Sequence, residues 1–136
     1  MQLKHLDHLN LGVSDLGASL DFYARVFGME KVEAGEKDGV AWAIVRGGEA
    51  MLCLYEHAGH HLPTDTEREA TGQLGLNHFG LRITDREAWE QVIAREKLTV
   101  NYGGPVGWPH STAWYIYDPS GYEIEVALWE GDEIRF

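Results

Sequence analysis

The feature that most restricts this chain is that one stretch of it is written twice. Leu6-Asp7-His8-Leu9-Asn10-Leu11-Gly12-Val13-Ser14-Asp15 returns without a gap, 70 residues later, as Leu76-Asn77-His78-Phe79-Gly80-Leu81-Arg82-Ile83-Thr84-Asp85. Leucine, histidine, leucine and aspartate are identical at four of the ten positions, and Val13/Ile83 and Ser14/Thr84 are close replacements. Two copies at so long a period describe a pair of modules, because solenoid arrays stack three or more shorter repeats. A chain of 136 residues has room for one such pair as a single domain, and none for a second domain of ordinary size.

Within each copy the side chains suggest the same order of elements. From His5 to Val13 the residues Leu9, Leu11 and Val13 alternate with His8, Asn10 and Gly12, the pattern of a half-buried strand. Ser14 offers a hydroxyl N-cap and Asp15 complements the helix dipole. Leu16, Leu20, Tyr23 and Phe27 then recur at helical spacing until Gly28. Strands are expected over 30–34, 40–46 and 50–56, separated by glycine-containing turns. A polar linker runs from about 58 to 74, with a short helix around 67–70. In the second copy Thr84 and Glu87 form a capping-box pattern, and Trp89, Val92 and Ile93 mark a helix. Strands are expected at 99–102, 113–117 and 122–128, with a Gly/Pro-rich loop from Gly103 to Pro109. The expectation is an α+β fold of two βαβββ modules, the first about 1–57 and the second about 75–136.

His8 and His78 hold the same register in the two copies, each on the polar side of its strand. Glu125 stands on the polar side of the last strand, opposite Ile124, Val126 and Leu128, and shares that side with Glu123. A carboxylate buried there without a partner is costly. Modules paired about a pseudo-twofold axis bring matching positions together, so His8, His78 and Glu125 are expected to bind one metal. A single histidine on a strand is more often structural; the shared register is what singles these out. Two imidazoles and a carboxylate form the facial triad of non-haem Fe(II), with positions open for substrate and O₂. The same donors also accept Zn(II), Mn(II) or Ni(II). Matching Glu49-Ala50-Met51-Leu52 to Gly121-Tyr122-Glu123-Ile124 puts Cys53 at the place of Glu125, where a lone cysteine is commonly small core filler.

Charge and composition narrow the partners. A formal net charge of -11 disfavours nucleic acids, whose binding draws on cationic contacts to phosphate, and favours a small-molecule substrate. No apolar run approaches the ~18 residues of a membrane span, and the N-terminus lacks the apolar core of a signal peptide, so no membrane association is expected. Cys53 is the single cysteine and forms no internal disulfide, in keeping with a cytoplasmic location.

Several pieces together resemble the vicinal oxygen chelate superfamily of glyoxalase I, extradiol ring-cleaving dioxygenases, fosfomycin-resistance proteins and bleomycin-binding proteins. They are Leu6-Asp7-His8-Leu9 leading into Asp21-Phe22-Tyr23 and Phe27-Gly28-Met29-Glu30, then Asn77-His78, and the run from Tyr115 through Asp118-Pro119-Ser120-Gly121 to Glu125. The resemblance covers nearly the whole chain. It implies a cup-shaped mixed sheet around a divalent metal, with His8, His78 and Glu125 at the ligand positions, and a homodimer. The extradiol enzymes carry a tyrosine ten residues before the glutamate that hydrogen-bonds the substrate, a spacing met by Tyr115. Their acid/base histidine on the preceding loop has no equally spaced match. His60, with His57 and His61, lies in that loop, and His110 opens the strand of Tyr115; His110 and His60 are the candidates for proton transfer. Glyoxalase I normally adds a fourth ligand, often Glu, where this chain has Cys53. Fosfomycin-resistance enzymes need a cationic cluster, and past Glu125 this chain offers no cation before Arg135. Trp108, Trp114, Trp129, Tyr102 and Tyr122 suggest a planar ligand. The function expected is therefore that of a metal-dependent extradiol-type dioxygenase, Fe(II) first among the metals. The alternatives are a glyoxalase-like lyase and a non-catalytic binder of an antibiotic or similar molecule.

Overall fold

The structure, a computed structural model, describes residues 1–133; Arg135 lies outside them. The chain divides into two compact units, Met1–His61 and Leu62 onward. The first contains β1 (Leu9–Val13), α1 (Leu16–Phe27), β2 (Glu30–Lys37), β3 (Val40–Gly47) and β4 (Ala50–Glu56). The second contains α2 (Asp65–Thr71), β5 (Phe79–Ile83), α3 (Arg86–Glu96), a 3₁₀ turn (Asn101–Gly103), β6 (Val106–Trp108), β7 (Ser111–Tyr117) and β8 (Glu123–Trp129). Each unit holds one four-stranded sheet, ordered β1-β4-β3-β2 and β5-β8-β7-β6, with the first strand parallel to the last and the other pairs antiparallel. This is the α+β pair of βαβββ modules expected from the repeat.

Alternation decides which face of each sheet is covered. In the first unit Leu11, Val13, Ala43, Val45, Leu52 and Leu54 are buried on the face that meets α1. Each large aliphatic side chain buried there contributes about 1.5–3 kcal/mol. The helix meets them with Ser19, Phe22, Tyr23 and Val26. That stripe is rotated from the expected one, and Leu16, Leu20 and Phe27 lie at its margin, half-buried. In the second unit Phe79, Trp114, Ile116, Ile124 and Val126 are buried, α3 contributes Trp89, and the Arg86 guanidinium lies 5.5 Å over the Trp114 ring.

The helix starts differ from expectation by one residue in both modules. Asp15 rather than Ser14 is the N-cap of α1, accepting from the Ala18 N–H at 2.8 Å, and Asp85 rather than Thr84 caps α3, accepting from Ala88 at 3.0 Å. Aspartate both accepts a free helical N–H and places negative charge at the positive end of the dipole, which a hydroxyl cannot do. The Glu56 carboxylate accepts from the Leu16 N–H at 2.8 Å, tying the end of β4 to the start of α1. Gly28 closes α1 in the left-handed conformation, as its position implied.

Two other departures bear on the site. The residues 99–102 are not a strand; the second strand of the second unit is β6, inside the stretch read as a loop. Tyr102, Gly103 and Gly104 have φ of 59°, 79° and 132°, a left-handed run that no strand accommodates. Four residues of alternation were too few to reveal it. The strands β1 and β5 begin at Leu9 and Phe79, so His8 and His78 each stand one residue before a strand.

Candidate metal centre

In the second unit the ladder sets Gly80 of β5 beside Glu125 of β8, and Glu125 beside Tyr115 of β7. Residues directly paired across a sheet share a face, so Tyr115 and Glu125 project together. His78, just before β5, brings its Nε2 to 3.1 Å from Glu125 Oε2. The Glu125 side chain is half-buried and that of His78 is exposed, and the His78 ring meets the buried Tyr115 ring edge-to-face at 5.6 Å. Bonds of about 2.0–2.2 Å from one metal to a nitrogen and an oxygen at right angles set those donors about 3 Å apart. The separation of His78 and Glu125 fits two neighbouring ligands of a single ion.

The phenol of Tyr115 is pushed above its ordinary range, by burial first of all; a hydrogen bond involving Trp108 opposes the shift, and the nearby Glu125 and Glu123 carboxylates add to it. Such a phenol stays protonated at neutral pH and acts as a donor. Glu123, two residues from Glu125 on the same face, is held elsewhere. Its Oε1 accepts from Asn101 Nδ2 at 3.0 Å and from the Tyr102 hydroxyl at 2.8 Å. That hydrogen bond is the main reason the Tyr102 phenol is pushed up to about 12. The Tyr102 ring stands edge-to-face on Tyr115 at 5.2 Å. The hold of Asn101 and Tyr102 on Glu123 was not visible in the sequence, because they lie in the segment read as a strand.

In the first unit His8 Nδ1 lies 2.7 Å from Asp7 Oδ2, and the hydrogen bond from His8 holds the Asp7 carboxyl below its usual range. With Nδ1 so engaged, Nε2 is the ring nitrogen left for a ligand, an arrangement typical of metal-binding histidines. Cys53 pairs with Asn10 on one side and Ile44 on the other, the same ladder position that Glu125 holds in the second unit. Burial and the charge of Asp7 push its thiol up, which disfavours the thiolate that a metal requires. His60 follows β4, with Nδ1 3.4 Å from the Ala58 carbonyl and its ring 5.8 Å from that of His57. Gly12 makes room for His57, since a Cβ there would lie 2.9 Å from the imidazole.

His110 is at the far end of its strand. It precedes Ser111, which pairs with Trp129, whereas Tyr115 pairs with Glu125. Five residues of extended chain span about 17 Å, so the structure does not bring His110 to His78, Glu125 and Tyr115. Its Nδ1 lies 3.9 Å from Glu130 Oε2. Among the described residues, no group of three or more His, Cys, Asp or Glu is arranged to hold a metal. His78 and Glu125 are the two expected donors that come together within one unit. Among the same residues, no helix is long and apolar enough to cross a membrane.

Comparison with solved structures finds the same fold repeatedly. A glyoxylase/bleomycin resistance protein/dioxygenase domain from Frankia sp. EAN1pec matches at a TM-score of 0.78 and 18% identity, over 97% of this chain and 96% of that one. A lactoylglutathione lyase from Agrobacterium tumefaciens matches at 0.65 and 25% identity, over 93% and 96%. The fosfomycin resistance protein FosX from Listeria monocytogenes matches at 0.70 and 17% identity, over 96% and 93%. A sequence profile matches residues 5–126, a span that takes in both copies of the repeat and the row of Tyr115 and Glu125, and the chain belongs to the Glyoxalase/Bleomycin resistance protein/Dioxygenase superfamily.

Proposed function

We propose that the protein is a divalent-metal-dependent enzyme that acts on a small aromatic substrate bearing neighbouring oxygens, by extradiol-type dioxygenation. The observation that carries the reading is the 3.1 Å approach of His78 Nε2 to Glu125 Oε2 beside a buried tyrosine. His78 and Glu125 are two of the ligands, and His8 is assigned the third place by its register in the repeat. Members of the superfamily typically use a divalent metal, and Fe(II) is the metal proposed here. When bound, it supplies Lewis-acid polarisation of the substrate oxygens and access to O₂.

The chain's own groups do the rest. Tyr115, kept protonated by burial, donates a hydrogen bond to a substrate oxygen and orients it. Glu123, occupied by Asn101 and Tyr102, is left out of the ligand set. Proton transfer is assigned to a histidine of the first unit, with His60, in the segment that follows β4, as the candidate. The proposed setting is a cytoplasmic homodimer.

A second reading, glyoxalase-type isomerisation, draws support from the likeness to lactoylglutathione lyase. Cys53, with its thiol pushed up, stands where that chemistry wants a further carboxylate, and this favours the oxygenase. Anaerobic loading with Fe(II), then O₂ uptake and ring-fission absorbance over a panel of catechols, tests the choice. Uptake coupled to ring fission is the expected result. No uptake with any catechol, together with S-lactoylglutathione formation by the Zn(II) or Ni(II) form, overturns the oxygenase reading in favour of the lyase.

A further inference from the structure

Three non-glycine residues among those described have a left-handed backbone. Two have an ordinary local reason. Asp38 precedes Gly39 in the hairpin between β2 and β3, and Lys97 ends α3 as its C-cap. Tyr102 is a large aromatic at φ 59° and ψ 19°, a conformation that costs free energy for any residue but glycine or asparagine. The surroundings hold it there. Its hydroxyl donates to Glu123 Oε1 at 2.8 Å, and neighbouring Asn101 donates to the same oxygen at 3.0 Å.

The strain is not used to bury the ring. Tyr102 is 69% exposed, although its ring lies edge-to-face 5.2 Å from Tyr115, which in turn lies 5.6 Å from His78. Ladder geometry explains how the turn reaches this place. Val106 pairs with Ala113, so an extension of β6 backwards would run alongside Tyr115 and Tyr117. The left-handed turn at Tyr102 and Gly103 replaces that extension and carries an aromatic ring with it. Tyr117 is exposed on the same face as Tyr115, and Trp108 also keeps an exposed ring. Strain that is maintained to hold an apolar ring in the open, beside a candidate reacting centre, marks a functional position.

We propose that Tyr102 is a specificity-determining residue, latched by Glu123 so that its ring walls one side of the space in front of Tyr115 and limits the width of the ring that can enter. The proposal rests on the reading of His78, Glu125 and Tyr115 as the reacting centre. Compact, unsubstituted ring diols fit against the wall, and bulky para-substituted ones meet it.

Tyr102→Gly is the most informative variant, because glycine removes the ring and relieves the backbone at once. The Zn(II)-loaded protein is titrated at equilibrium with catechol and with 4-tert-butylcatechol, following intrinsic fluorescence, and metal content and melting temperature are measured on the same samples. The wild type is expected to prefer catechol by about tenfold or more, the scale on which a pocket wall discriminates added carbon. Tyr102→Gly should lose that preference while keeping its metal and a cooperative melting transition. Glu123→Ala, which frees the latch, should weaken the preference, and Glu123→Gln, which keeps an acceptor oxygen, should restore it. An unchanged preference in Tyr102→Gly with full metal content overturns the proposal and leaves the metal centre standing. No stoichiometric metal in the loaded wild type, or no catechol binding by it, overturns the reading of the centre and the proposal with it.

Discussion

At the row where β4 meets its neighbours the first unit carries Asn10, Cys53 and Ile44, and at the corresponding row of β8 the second carries Gly80, Glu125 and Tyr115. The backbone pairings are the same. What differs is the chemistry hung on them: a thiol held protonated between an amide and an aliphatic side chain in one unit, a carboxylate with a phenol and an imidazole in the other. The layer beneath differs as well. Ala43 of the first unit occupies the position that Trp114 occupies in the second. The first unit supplies its bulk from α1, through Phe22, Tyr23 and Val26, whereas α3 buries Trp89. A duplicated scaffold has kept its hydrogen bonds and given one copy the polar row, with a large indole behind it.

The largest effect is expected from the layer beneath. Trp114→Ala should cost about 3–5 kcal/mol in urea unfolding, the range for removing a large buried aromatic. Trp114 is 2% exposed and packs beneath the Arg86 guanidinium of α3, so truncation removes a large buried volume. Equal sensitivity at Ala43→Gly would break the comparison.

The polar row comes next. Glu125→Ala should lower metal affinity by more than about a hundredfold, since loss of groups that only support a ligand already costs 10–100-fold. Cys53→Ala, at the same ladder position of the first unit, should leave affinity unchanged; a comparable loss there would make the two rows alike. Tyr115→Phe keeps the packing and removes the donor. It should reduce kcat about a hundredfold with metal content intact, measured as steady-state O₂ uptake.

The smallest effect is a matter of pH. Tyr102 has its phenol raised from 10.0 to about 12 in the folded protein by the hydrogen bond to Glu123. Between those values the folded state keeps a proton that the unfolded state has lost. The stabilisation is therefore complete below about pH 10 and disappears as pH rises through 12. Phenolate absorbance titration of wild type against Tyr102→Phe should show one late-titrating tyrosine removed by the substitution.

Much of this architecture was legible in the sequence, for identifiable reasons. The repeat from Leu6 to Asp15 is long enough to show alternation, and its second copy confirms the register, so β1, β5 and the helices after them could be read directly. The place of Glu125 on one face of β8 with Tyr115 was legible because a carboxylate interrupts an apolar strand. The turn at Tyr102 was not. A left-handed tyrosine is held by Glu123, 21 residues away, and no local pattern encodes a partner so distant. His110 lies apart from Tyr115 for a related reason: closeness in sequence becomes distance when the intervening residues are an extended strand. Asp15 and Asp85 displaced the neighbouring hydroxyls as caps because both residue types satisfy the same pattern and only charge separates them.

The central claim is that His78 and Glu125 are ligands of one divalent ion. Elemental analysis by mass spectrometry, on metal-replete wild type and on His78→Ala prepared in parallel, tests it most directly. Wild type should carry about one divalent ion per chain, and His78→Ala should lose it with the fold retained by circular dichroism. Wild type without stoichiometric metal, or His78→Ala with its full complement, would contradict it.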